Sequence, residues 1–135
     1  MKPGAKMDAA IQEAGNTNLT GDQLADLFTR IATMGYFLAG EVGKLHRTYL
    51  NAEAARKSFA AKTVILYTMD GTSNAKAVAK MESEPEFWKH KNAEIDADAE
   101  YQAFRLKMDA AKGVLNSIQM RIALLRDEAN RTRTS

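Results

Sequence analysis

Leu24, Ile31, Leu38, Leu45, Ala52, Phe59 and Leu66 recur at intervals of seven along the first half of the chain. Leu27, Phe28, Met34, Val42, Tyr49, Thr63 and Met69 supply most of the companion positions three or four residues on. An apolar row of that period marks one face of an α-helix, and its persistence predicts a long helix over residues 22–70. The run Asp70-Gly71-Thr72-Ser73-Asn74 closes it, because Gly71 can take the left-handed conformation that ends helices. Residues 73–82 read as a short connecting helix. A second long helix is predicted over 84–130, where Tyr101, Phe104, Met108, Ala111, Leu115, Ile118, Ile122 and Leu125 step by threes and fours without a break. Its start signal is Ser83-Glu84-Pro85-Glu86, a capping box in which serine is the N-cap and Pro85 sits in a first turn that does not need its missing donor. Residues 1–20 are weakly patterned, either loosely ordered or forming a short helix from Met7 to Ala14, and the tail 132–135 is expected to fray.

The expected fold class is therefore all-α. Each long helix would extend roughly 70 Å at 1.5 Å per residue. A compact globule of this length has a radius of gyration of about 14 Å. The two helices are expected to form an elongated, coiled-coil-like hairpin within one helical domain, residues 21–131. Two helices cannot cover all of their own apolar surface. The second carries Leu106, Val114, Met120 and Leu124 off its main row, so self-association is expected, with the row from Tyr101 to Leu125 as the seam. Gly35, Ala39 and Gly43 fall four apart on one face of the first long helix. Glycines inside a helix cost about 1 kcal/mol each against alanine, and close approach of a second helix, or a kink, would account for them.

Composition narrows the chemistry. Among 135 residues there are two prolines and no cysteine, which leaves no disulfide framework and no thiolate metal site. His46 and His90 are the only histidines. His90 shares a face with Glu86, but no further ligand stands at matched spacing. The stretch Glu94–Glu100 looks like a calcium loop, yet it lacks the turning glycine and lies within a helical run. No phosphate-cradling glycine loop and no nucleophile elbow occur. An enzyme is not expected, nor a cofactor or metal. The N-terminal residues have lysines but no apolar core of a leader, and no apolar run is long enough to span a bilayer. A soluble cytoplasmic protein is expected.

The formal net charge is only +2, but it is sorted along the chain. Residues 44–62 hold Lys44, Arg47, Arg56, Lys57 and Lys62 against Glu53, a net +4, whereas residues 93–110 are net −3. Such a basic stretch is either the solvated face of a helix or a surface for a polyanion. Tyr49, Phe59 and Tyr67 interleave with the cations, and exposed rings can stack on bases, although Phe59 lies on the seven-residue row and reads as core.

The order of parts is a helix ending in an Ala/Arg/Lys-rich stretch, a turn, a short polar helix, and a long C-terminal helix carrying MDAAKGVLNSIQMRIALLRDEANR. It resembles the UvsY-like family of phage recombination mediators. Asp109, Gly113, Leu115, Ile118 and Arg121 stand in the relative order of that family's C-terminal segment, and the likeness spans residues 24–131. The resemblance implies a non-enzymatic helical protein that assembles through its C-terminal helix into a closed ring, a hexamer or heptamer. It implies binding to single-stranded DNA, displacement of the single-strand-binding protein, and loading of a RecA-like (UvsX-like) recombinase. The family's DNA element is leucine–lysine–alanine–arginine–leucine after a basic pair. Here Arg56-Lys57 matches the pair and Lys62 matches the lysine with one residue of slippage, while Val64 stands at the arginine position. The expected phosphate contacts are Arg56, Lys57 and Lys62, with Lys44 and Arg47 next. The alternative is an adaptor whose coiled coil binds another protein's helix.

Overall fold

The computed structural model describes residues 2–134. Four helices account for nearly all of them: α1 (Pro3–Ala14), α2 (Gly21–Met69), α3 (Asn74–Ser83) and α4 (Pro85–Thr134). No strand occurs among the described residues, and the chain is all-α. Residues 132–134, expected to fray, continue α4, and Ser135 lies outside the described residues. The chain divides into two compact units, the first taking in residues up to Val42 and from Phe104 on, the second Gly43–Ala103.

In the first unit α1 is part of the core. Met7, Ala10, Ile11 and Ala14 follow helical spacing. Met7 and Ala10 are fully buried with Leu24, Leu27, Ile31 and Leu38 of α2 and Ala111 and Ile118 of α4. Three polar contacts hold α1 in place. Arg121 of α4 donates to the carbonyls of Ala14 and Asn16 at 2.7 and 2.6 Å, satisfying acceptors that a helix C-terminus leaves open. Lys107 meets Asp8 at 3.1 Å, and Arg30 meets Glu13 at 3.1 Å.

The capping box lies elsewhere than expected. Ser83 is the last residue of α3, and its hydroxyl donates to the Lys80 carbonyl at 2.7 Å. Glu84 is extended, as a residue before proline is pressed to be, and its carbonyl accepts from the Phe87 N–H at 3.1 Å to open α4. The reciprocal box is made by Thr20 and Gln23 at the head of α2. There the Gln23 N–H donates to Thr20 Oγ1 (3.2 Å) and the Thr20 N–H donates to Gln23 Oε1 (2.9 Å). At the other end of α2, Gly71 has φ +88°, the Gly71 N–H bonds the Thr68 carbonyl and the Thr72 N–H bonds the Tyr67 carbonyl. That is a Schellman ending, and the left-handed residue it needs is the glycine.

Among the described residues no second helix of the chain closes on the glycine row. A Cβ on Gly35 would meet only the end of the Met7 side chain at 4.0 Å, and one on Gly43 would meet nothing within 4 Å. Ala39 is exposed. Leu24, Ile31 and Leu38 set the inner face of α2, and at 100° per residue Ala39 and Gly43 fall about 100° and 140° away from it.

Candidate nucleic-acid interface

The basic stretch lies on the part of α2 that belongs to the second unit. Its inner side is lined by half-buried Leu45, Tyr49, Ala52, Phe59 and Thr63. The aromatics interleaved with the cations are engaged in intrachain packing, Phe59 among them as its place on the seven-residue row implied. Tyr49 and His46 stack on Tyr101 with ring centroids 6.5 and 4.8 Å apart, and Phe59 lies 5.3 Å from the His90 ring. Lys80 sits 5.5 Å above the Tyr67 ring.

Arg56 is turned inward. Its guanidinium forms an ion pair with Glu94 of α4, with Nε donating to Oε2 and Nη2 to Oε1 at 3.5 Å. The two side chains retain only 22% and 10% of their exposure. A guanidinium committed to a buried carboxylate is not available to a phosphate, so Arg56 is a structural residue. In the sequence Glu94 is one of a run of acidic residues, and no local pattern reveals a partner 38 residues away. Lys57 is exposed but bridges to Glu53 one turn back at 3.0 Å. Glu53 also accepts from the Tyr49 hydroxyl at 3.0 Å. The bonds from Lys57 and then Tyr49 hold the Glu53 carboxyl below its ordinary value, and the bond to Glu53 in turn pushes the Tyr49 phenol up. Tyr67 is raised likewise, first by its hydrogen bond to Glu84 and then by burial.

Arg47 and Lys62 are exposed and have no ion pair among the described residues. Lys44 is exposed with a partner of its own. Lys44 and Lys62 are five turns apart and point the same way, and Arg47 lies about 60° round from them. The structure therefore brings Lys44, Arg47 and Lys62 to one side of α2, leaves Lys57 further round, and removes Arg56.

The residues assigned to an oligomer seam are engaged within the chain. Ala111 and Ile118 are core, and Phe104, Met108, Leu115 and Ile122 pack against them. Tyr101 stacks on His46, and Leu125 remains 39% exposed. Val114 is also packed against the core. On the outer side of α4, Leu106, Met120 and Leu124 are 69%, 69% and 61% exposed. The inner row is covered because α1 supplies a third helix. No group of three or more potential ligands could hold a metal among the described residues, and no described helix is long and apolar enough to cross a membrane.

The fold and this surface define a class: an all-α chain with a sparse row of outward cations on one long helix and an uncovered apolar row on another. No protein-family model, curated protein or solved structure matches the chain.

Proposed function

We propose that the chain is a recombination mediator of the UvsY-like kind, which binds single-stranded DNA without base preference. In this reading it loosens the single-strand-binding protein and helps a RecA-like recombinase to load. The observation that carries the reading is the pair Arg47 and Lys62, exposed on α2 without ion-pair partners among the described residues. Lys44 lies on the same side and Lys57 at the edge. Copies gather through the outer row of α4 into a closed ring of six or seven elongated helical hairpins. Each subunit then contributes few cations, and their sum holds the strand. The proposal needs no catalytic group, metal or cofactor.

Fluorescence anisotropy with an unstructured oligonucleotide at several salt concentrations tests this. Affinity is expected to fall steeply with salt. For a single strand each phosphate-bound cation contributes about 0.7 to the log–log slope, so Arg47→Ala with Lys62→Ala should make it shallower by about 1.4 per engaged subunit. Salt-insensitive or absent binding would overturn the reading in favour of the adaptor. That second reading has its own observation. Ile65, Leu66 and Met69, on the last turns of α2, are 56%, 63% and 77% exposed and could receive another protein's helix.

A further inference from the structure

A contact that closes several copies into a ring joins two different surfaces of each chain, because a patch that meets its own twin stops at a pair. The outer row of α4 is one such surface. The other must be concave and must take exposed Leu106, Met120 and Leu124. The first unit has a groove of that kind. Lys6 and Ala9 of α1 and Thr29, Arg30, Thr33 and Met34 of α2 line an open apolar hollow of about 530 Å³. Thr29 commits its hydroxyl to the Ala25 carbonyl at 3.1 Å, and Met34 packs against the core. Phe37, one turn past Thr33 and 62% exposed, extends the α2 wall.

Charge selects the occupant. At one end of the groove Arg30 is held between Glu13 at 3.1 Å and Asp26 at 3.7 Å. Two turns before Glu13 on α1, Lys6 is exposed and has no ion pair among the described residues. Glu41, one turn past Phe37, has a partner of its own. The outer row of α4 carries the opposite sign. Between residues 106 and 128 the charges within about 60° of the row are Asp109, Asp127 and Glu128, without a cation. Arg121, further round, is bound to the carbonyls of Ala14 and Asn16, and Arg131, one turn beyond, has its own partner. Met120, Leu124 and Asp127 fall at i, i+4 and i+7, the spacing of a helix laid in a groove. Seven residues separate Met120 from Asp127, and seven separate Lys6 from Glu13, about 10 Å in each helix. Residues 113–120 carry no charge, so they suit the end where Arg30 is already matched.

We infer that the α1–α2 groove of one copy receives the outer row of α4 from the next, with Met120 and Leu124 in the groove and Asp127 and Glu128 at Lys6. This rests on the ring reading above and supplies the second surface that a ring requires. Each subunit gives one row and takes one, so a closed ring leaves neither face open.

Light scattering over a concentration series, on two variants and their mixture, tests this. The row variant is Leu106→Gln/Met120→Gln/Leu124→Gln. The groove variant is Ala9→Gln/Thr33→Gln, which fills the hollow from exposed positions, so unchanged circular dichroism is expected. Each variant alone should have the mass of one subunit. Their equimolar mixture should reach twice that mass and no more, because one intact row meets one intact groove and the remaining faces are blocked. A groove variant that keeps the wild-type mass while the row variant dissociates would overturn the groove and leave the ring reading standing. A mixture that stays at single-subunit mass at the highest concentration would overturn the pairing of these two surfaces. A wild-type chain that is itself a single subunit, or a row variant of wild-type mass, would overturn the assembly and the inference together. Charge gives a second measurement. Lys6→Glu should weaken assembly at least tenfold, and Asp127→Lys/Glu128→Lys in the same chain should restore it. An unaffected Lys6→Glu particle, or no recovery, would overturn the seating of α4 in the groove.

Discussion

At the scale of single residues, the exchange of roles between Arg56 and its neighbours decides how the basic stretch can act. Burying a carboxylate costs several kcal/mol unless a partner and further hydrogen bonds compensate it. Glu94 is 8% exposed and relies on Arg56. No buried side-chain polar atom among the described residues lacks a partner. Removing the guanidinium strands the charge. Arg56→Ala is expected to destabilise the second unit by about 3 kcal/mol, the lower end for breaking a buried pair, because neither group is fully enclosed. The double change Arg56→Met/Glu94→Leu should recover most of that loss in urea denaturation, since no charge is then left without a partner. A double variant as unstable as Arg56→Ala would show that the carboxylate is not what the arginine serves. On the proposed reading, loss of DNA binding in Arg56→Ala alone would therefore report on folding, and substitutions at Arg47 and Lys62 are the ones that test phosphate contact.

At the scale of elements, the sequence was most legible where period and turn chemistry act locally. The long apolar rows imply long helices, and Gly71 ends α2 because only its φ of +88° allows the Schellman pair of bonds. Legibility fell where two local signals of the same form compete. Thr20-Gly21-Asp22-Gln23 and Ser83-Glu84-Pro85-Glu86 both fit the capping pattern. Only the first has a free residue before the helix, whereas Ser83 is still held in α3. Thr20→Ala should cost about 1 kcal/mol, as an N-cap loss does. Ser83→Ala should stay within about 0.5 kcal/mol, as a surface change does. Urea midpoints at constant m distinguish them, and equal effects would sink the assignment. The seven-residue row also drifts, by about 20° per heptad on a straight helix. Leu24, Ile31 and Leu38 are buried, while Leu66 and Met69 at the far end are exposed and Val64 and Tyr67 are half-buried in their place. The contribution of α1 was hidden for a different reason. Twelve residues are too few for a strong periodic signal, and α1 owes its place to contacts with Arg30, Lys107 and Arg121 that no spacing encodes.

At the scale of the whole molecule, the two apolar rows of α4 make opposite predictions about substitution. The inner row is intrachain core, so polar replacement of Leu115 and Ile118 should unfold the first unit, because Ile118 is fully buried. The outer row meets solvent, so Leu106→Gln/Met120→Gln/Leu124→Gln should leave circular dichroism and the urea midpoint nearly unchanged while reducing particle mass in light scattering. Coupled to that is an effect on DNA that no cation contact explains. When copies are joined, each binding event after the first is intramolecular, and avidity can exceed the single-site affinity by about 10²–10⁴. On the proposed reading the outer-row variant retains Arg47 and Lys62, yet as a lone subunit it should bind a long oligonucleotide at least a hundredfold more weakly than the wild-type chain. On a strand short enough to occupy one subunit the two should bind alike, since avidity has nothing to join. A variant that keeps its particle mass would remove the outer row from assembly. A variant that dissociates yet holds the long strand as tightly as before would show that one subunit's surface suffices.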